Sequence, residues 1–181
     1  EAMVCYNQAL AINPNNPNAH WNRACLRLLL GDLENGFEEY EWRSRISQNR
    51  AAPRCYEQPL WDGKTASEAT LLLYAEQGLG DAIQFARYAA LAKGRVKRVV
   101  LECQRPLLKL FEHCEGVDQL VAKGSEPPTF DLHAPLLGLP RILGTTLATI
   151  PAAIPYLAAV PELVERWRGR LAEFPGFRVG I

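Results

Sequence analysis

The sequence predicts two unlike parts in one chain, a short run of α-helical hairpins followed by a parallel α/β half-domain. Three observations carry this. Aromatic and small residues recur at an offset of 34 within the first 48 residues. From residue 70 onward, short apolar runs alternate with amphipathic stretches, the order that gives βαβ units and a parallel sheet. Between them, residues 49–69 hold Pro53, Pro59 and Gly63 in a polar mix, which reads as a linker.

The chain has 181 residues, of which 48% are hydrophobic and 22% charged, enough apolar material for a packed core. Lys+Arg and Asp+Glu both number 20, and the balance holds along the whole length. No segment has the basic excess of a phosphate-backbone binder, so nucleic acid is not an expected partner. The five cysteines, odd in number and without a C-x-x-C pair, fit neither a disulfide framework nor a zinc site. They read as free thiols of a cytoplasmic protein, with no metal and no cofactor expected. Residues 142–161 run without a charge, but Pro151, Pro155 and Pro161 interrupt them and alanine and threonine dilute them. They lack the density of a spanning helix and read as buried loop and short strand.

The helical part is justified residue by residue. With Glu1–Asn16 laid against Asn35–Arg50, Tyr6 falls on Tyr40, Ala2 on Gly36 and Met3 on Phe37. Asn18–Leu30 reads as one helix, Gly31-Asp32 as a turn and Leu33–Arg45 as a second helix. Small residues at Ala2, Ala24 and Gly36 let helices approach, and Tyr6, Trp21, Phe37 and Tyr40 fill the space beside them. Pro14 and Pro17 stop one helix and start the next. This set, with Ala9, Asn22, Asp32 and Leu33, resembles the tetratricopeptide repeat over residues 1–48, one and a half units. Such hairpins imply a protein or peptide partner. At least three repeats are needed to bury a continuous core, so the expectation is a piece of a longer array. Arg43 stands where the pattern asks for a small residue, which predicts that this last helix docks onto the α/β part.

In the second part, Thr70–Ala75 is a short apolar run, as in a strand buried on both faces. Asp81–Lys93 is predicted helical, Arg98–Cys103 a strand, Pro106–Cys114 a helix and Val117–Ala122 a strand. Phe130–Leu132 is a fourth strand, Glu162–Glu173 a helix after Pro161, and Phe177–Ile181 the opening of another strand. The basic run Lys93–Arg98 reads as a solvated loop.

Between the first strand and its helix lies Glu76-Gln77-Gly78-Leu79-Gly80-Asp81. Open α/β sheets bind ligands at the carboxyl ends of strands, glycines allow tight turns there, and a helix N-terminus favours anions. The loop is neither G-x-G-x-x-G nor a Walker loop. Asp81 as a plain helix cap is the alternative. His133, expected just past a strand at the same sheet edge, is a candidate ligand or base, or a hydrogen-bonded loop histidine. His20 reads as structural and His113 as a helix-end cation. Arg87 and Tyr88 read as packing and surface charge.

The stretch from Leu79 to Tyr88 after an apolar strand resembles the first βα turn of bacterial heptosyltransferase-like glycosyltransferases. With Tyr40-Glu41-Trp42-Arg43, Pro59-Leu60-Trp61-Asp62-Gly63, Phe130-Asp131-Leu132-His133 and residues 150–157, the whole chain is similar to bacterial proteins joining tetratricopeptide repeats to a two-Rossmann (GT-B) glycosyltransferase domain. The resemblance implies that residues 70–176 form the N-terminal Rossmann-like half and 177–181 begin a second half. It implies metal-independent transfer from a nucleotide-sugar donor, with Asp81 as general base. Gly78, Gly80 and Glu76 would line the substrate site, with a solvated or capping carboxylate as the alternative for Glu76. In that architecture the second half grips the donor, so these residues alone are expected to be inactive. The competing expectation is a non-catalytic interaction module whose repeats hold a peptide.

Overall fold

The computed structural model describes residues 1–46, 56–174, 176, 177 and 179. Three helices open the chain, α1 (Ala2–Ile12), α2 (Pro17–Leu29) and α3 (Leu33–Tyr40). Asn16 caps α2, its side chain accepting from Asn18 and Ala19 N–H, and Pro17 takes the first helical position, where no donor is needed. Gly31 makes the α2–α3 turn at φ +83°, and Asp32 caps α3. Gly36 lies so close to α2 that an added Cβ would stand 2.6 Å from Leu28 Cδ2. Ala24 is fully buried beside it. Ala2, expected to serve the same close approach, is exposed.

The predicted helix Leu33–Arg45 is α only to Tyr40 and tightens to a 3₁₀ turn over Glu41–Arg45. Side chains compete there for the carbonyls that would continue the helix. Ser44 Oγ donates to Glu41 O and Arg43 Nη1 to Tyr40 O.

Four parallel strands come next, β1 (Ala66–Tyr74), β2 (Val96–Cys103), β3 (Gln119–Ala122) and β4 (Leu132–Pro135), in the order β3-β2-β1-β4. Helices α4 (Leu79–Ala86) and α5 (Ala89–Lys93) connect β1 to β2, and α6 (Leu108–Phe111) connects β2 to β3. Helix α7 (Leu139–Ile142) comes after β4, and α8 (Pro161–Ala172) is last. Leu71 and Leu73 share one core with Ala82, Ala86, Ala89 and Ala92, while Leu72 joins Val100, Val121 and Phe130 on the other face. An inner strand buried on both faces thus accounts for the unbroken run Leu71-Leu72-Leu73.

Several expected elements shift. The helix Asp81–Lys93 breaks at Arg87–Tyr88, where Arg87 Nε takes the Gln84 carbonyl. The helix Pro106–Cys114 shortens to a 3₁₀ turn and α6. The fourth strand comes two residues late, because Asp131 exchanges bonds with Thr70 (Thr70 N–H to Oδ2, 2.8 Å; Asp131 N–H to Thr70 O, 2.9 Å) and makes Leu132 the first rung. Residues 49–55 of the expected linker lie outside the described residues. The rest of it is built into the domain. Trp61 is 2% exposed, Leu60 bridges His133, and β1 begins at Ala66.

The run Lys93–Arg98 is helix end and strand start, its cations paired: Lys93 with Asp118, Lys97 with Glu68. Residues 142–161, expected as buried loop and short strand, contain no strand and are largely exposed, Ile154 at 90%. Their prolines cannot donate to a ladder, and the segment straps back through the Tyr156 hydroxyl to Ile83 O in α4 and through Pro151 O, which accepts from Arg87. Helix α8 matches its expectation but buries no residue. In the strand expected at Phe177–Ile181, residues 178, 180 and 181 lie outside the described residues, and Phe177 and Val179 are exposed without strand pairing. Among the described residues no helix is long and apolar enough to cross a membrane.

Candidate functional site

The chain leaves β1 at Tyr74 and turns into α4 through Ala75-Glu76-Gln77-Gly78. The turn is tied down by polar residues placed just after β2 and β3. Lys123, past β3, donates from Nζ to Ala75 O at 3.2 Å and Glu76 O at 3.4 Å. Gln104, past β2, donates from Nε2 to Gln77 O at 2.7 Å. Neither residue stands out in the sequence, although a polar side chain directly after a buried strand is a signal that could have found both.

The glycine turn itself forms as expected. Asp81 Oδ2 accepts from Gly78 N–H at 2.9 Å. Gly78 has no side chain to return the bond, so only one half of a capping box exists. An added Cβ at Gly80 would meet nothing within 4 Å, so this position opens to solvent. Gly78, Gly80 and Asp81 are therefore together at the carboxyl end of an inner strand.

Glu76 is not beside them in the open cleft. It is 8% exposed and points into the joint with the helical hairpin. There Arg43, 1% exposed, places Nη2 at 3.2 Å from both Glu76 oxygens and Nη1 at 2.6 Å from Glu41 Oε1. Leu137 N–H donates to Glu76 Oε2 at 3.3 Å. Burial pushes the Glu76 carboxyl above its ordinary range, against the pull of Arg43. Burial would likewise lower the Arg43 guanidinium, but Glu76 and Glu41 outweigh it and hold the cation. One residue along the turn, Gln77 lies beside the hydroxyl of Tyr40, whose phenol burial pushes up. The 3₁₀ end of the helical hairpin is thus pinned to the two residues before the glycine turn. Arg43 in a small-residue position was the sequence signal for docking; its partner was not legible.

His133 is elsewhere. It lies inside β4 rather than past it, opposite Leu72, and shares a face with Tyr74, whereas α4 covers the other face. The rings of Tyr56 and Tyr74 lie 5.0 and 5.9 Å from it. It is buried, and its Nδ1 has no hydrogen-bond partner among the described residues. The histidine is neither a loop residue nor a neighbour of Asp81. Burial lowers its pKa from the ordinary 6.5, against a bond with the Gln58 backbone. The folded protein therefore favours the neutral ring, and the unfolded chain binds a proton first. The stability this gives is complete above about pH 6.5 and is lost as pH falls through the folded-state value. Thermal unfolding of His133→Gln should lose part of the acid-side slope of the wild type; an unchanged slope would contradict a buried neutral ring.

His20 is structural, as expected. Its Nδ1 lies 2.6 Å from Glu39 Oε1, its Nε2 2.8 Å from Pro14 O, and its ring stacks on Trp42 at 3.8 Å. Burial would raise Glu39, but Arg23, His20 and Arg27 lower it. His113 is exposed past the end of α6. Among the described residues no group of His, Cys, Asp or Glu is placed to hold a metal, and Cys5, Cys25, Cys103 and Cys114 are unbridged. Burial pushes the Cys103 and Cys114 thiols up to about 11, far from a reactive thiolate.

Residues 1–31 match a family model described as TPR repeat, which supports a protein-interaction module at this end of the chain. No curated protein and no solved structure matches the chain.

Proposed function

We propose that the chain is the acceptor-side half of a glycosyltransferase of the two-Rossmann kind, cytoplasmic in location, with its repeats presenting a protein partner or acceptor. One observation carries the reading: Asp81 stands on a glycine turn at the carboxyl end of an inner strand, where open parallel sheets hold their ligands. A sugar or side-chain hydroxyl is a weak nucleophile until a base removes its proton. Asp81 Oδ2 is held by Gly78 N–H, which fixes the carboxylate, and Oδ1 has no partner among the described residues. Oδ1 takes the acceptor proton as the acceptor oxygen attacks the anomeric carbon and the nucleotide phosphate leaves. Gly80 leaves room for the acceptor. Glu76 acts through Arg43, setting the turn in place, and His133, on the other face, takes no part in this step. The donor belongs to a second half opening near Phe177 in the full-length protein.

The test is transfer by the full-length protein from a panel of nucleotide sugars. Asp81→Asn should lower turnover by about 10²–10⁴-fold with an unchanged melting temperature. Retained transfer would remove the role assigned to Asp81. One observation favours a second reading, a binding module without catalysis: the Asp81 carboxylate already serves as a helix cap. That reading expects peptide binding and no turnover with any donor.

A further inference from the structure

A second feature of the joint between hairpin and sheet points to a ligand. Between α2–α3 and α4 the packing leaves a cavity of about 520 Å³, open on one side, walled by Phe37, Ile83, Phe85, Tyr88 and Tyr156. Arg87 reaches it from the α4–α5 break, and two smaller cavities converge on the same residue. Its Nε donates to Gln84 O and its Nη1 to Pro151 O, each at 3.1 Å, and the Tyr156 ring lies 4.3 Å from the guanidinium carbon. All three partners are uncharged. Among the described residues every other buried or half-buried arginine has a carboxylate: Arg23 and Arg27 have Glu39, Arg43 has Glu76 and Glu41, and Arg141 has Glu38 and Glu41. Of these Arg87 alone has none, and among the described residues its Nη2 finds no hydrogen-bond partner.

A half-buried cation is kept where something compensates its charge. The geometry points to an occupant that brings the missing anion: a peptide segment with an aromatic side chain in the cavity and an adjoining acidic side chain on Arg87 Nη2. Charge and donor count select a carboxylate. One cation with one uncommitted terminal nitrogen suits a single carboxylate oxygen, whereas a phosphate carries up to two charges and asks for several donors. Aromatic walls suit a ring, which packs edge-on or offset against them. A peptide suits the place, because one wall is the helical hairpin, through Leu28, Leu33 and Phe37.

The probe is a fluorescein-labelled peptide, Gly-Ser-Phe-Glu-Ser-Gly, titrated with the full chain in the absence of any sugar donor, so that the outcome is independent of transfer. Saturable binding is expected, weakened about tenfold when the peptide glutamate becomes glutamine, and weakened again when its phenylalanine becomes alanine. The Glu-to-Gln change in the peptide should make no difference with the Arg87→Gln protein. The peptide-side changes need no protein variant, so they decide the matter even if Arg87→Gln fails to fold. Equal affinity for the glutamate and glutamine peptides, or no saturation at millimolar concentration, would overturn the proposal. Capture of the protein by phosphatidylglycerol-containing vesicles with no peptide binding would overturn it in favour of a lipid phosphate.

Discussion

Arg43→Met should destabilise the folded chain by about 3–5 kcal/mol, read as a lower midpoint in urea. The loss comes from the charge left behind, since methionine fills much of the vacated space. Glu76 is 8% exposed and keeps only the Leu137 N–H, so its charge would stand buried and uncompensated. Glu41, whose side chain is 33% exposed, can turn to water and adds little. The variant should also change its response to pH. Burial already holds the Glu76 pKa above its ordinary value in the wild type, and without the opposing pull of Arg43 it rises further. The folded variant then binds the proton more readily than the folded wild type does, and its stability rises more steeply as pH falls from neutral. A variant as stable as the wild type at neutral pH would mean that the pair is not buried in solution.

The second large effect is expected at Trp61, within a stretch whose prolines and glycine read as a linker. The indole is 2% exposed in the main core, its Nε1 donates to Lys64 O at 2.9 Å, and its backbone N–H donates to His133 O at 2.8 Å. Trp61→Ala removes the largest side chain of that core while the neighbouring backbone stays clamped to β4, so collapse around the cavity is limited. A cost of about 3–5 kcal/mol is expected, as for other buried aromatic truncations. Trp61→Phe, which keeps most of the volume and loses the Lys64 bond, should cost clearly less. If both variants unfold at the wild-type midpoint, residues 59–63 are a connection and not part of the core.

Legibility from the residues tracks the range of the interactions involved. The helical hairpin was legible because its determinants are local: Gly31 needs a positive φ, Gly36 a close approach to Leu28, and Pro17 a helix start. The strand Leu71–Tyr74 and the glycine turn were legible for the same reason, a short apolar run leading into a helix start. Two helix ends were misread through local side-chain bonds to carbonyls three residues back, while the misplaced strand and linker involve partners far along the chain. Thr70 and Asp131 set the start of β4, and no window around Phe130 contains that information. His133 looked like an edge residue only because the strand before it was placed two positions early. Trp61 sits in a sequence context of turn formers, and only its bonds to β4 bring it inside. The buried pair of Arg43 and Glu76 is separated by 33 positions. Its arginine was conspicuous, but Glu76 reads from sequence alone as a cleft residue beside Asp81.

The central claim is that the helical hairpin and the turn bearing Asp81 are one folded unit, joined by that buried pair. A double-mutant cycle of Arg43→Met and Glu76→Leu, read by urea unfolding, tests it most directly. Each single variant should lose several kcal/mol, while the double variant, with no buried charge left, should return to within about 2 kcal/mol of the wild type and unfold in a single transition. Losses that simply add in the double variant would contradict the pairing, and separate transitions for hairpin and sheet in the wild type would contradict the single unit.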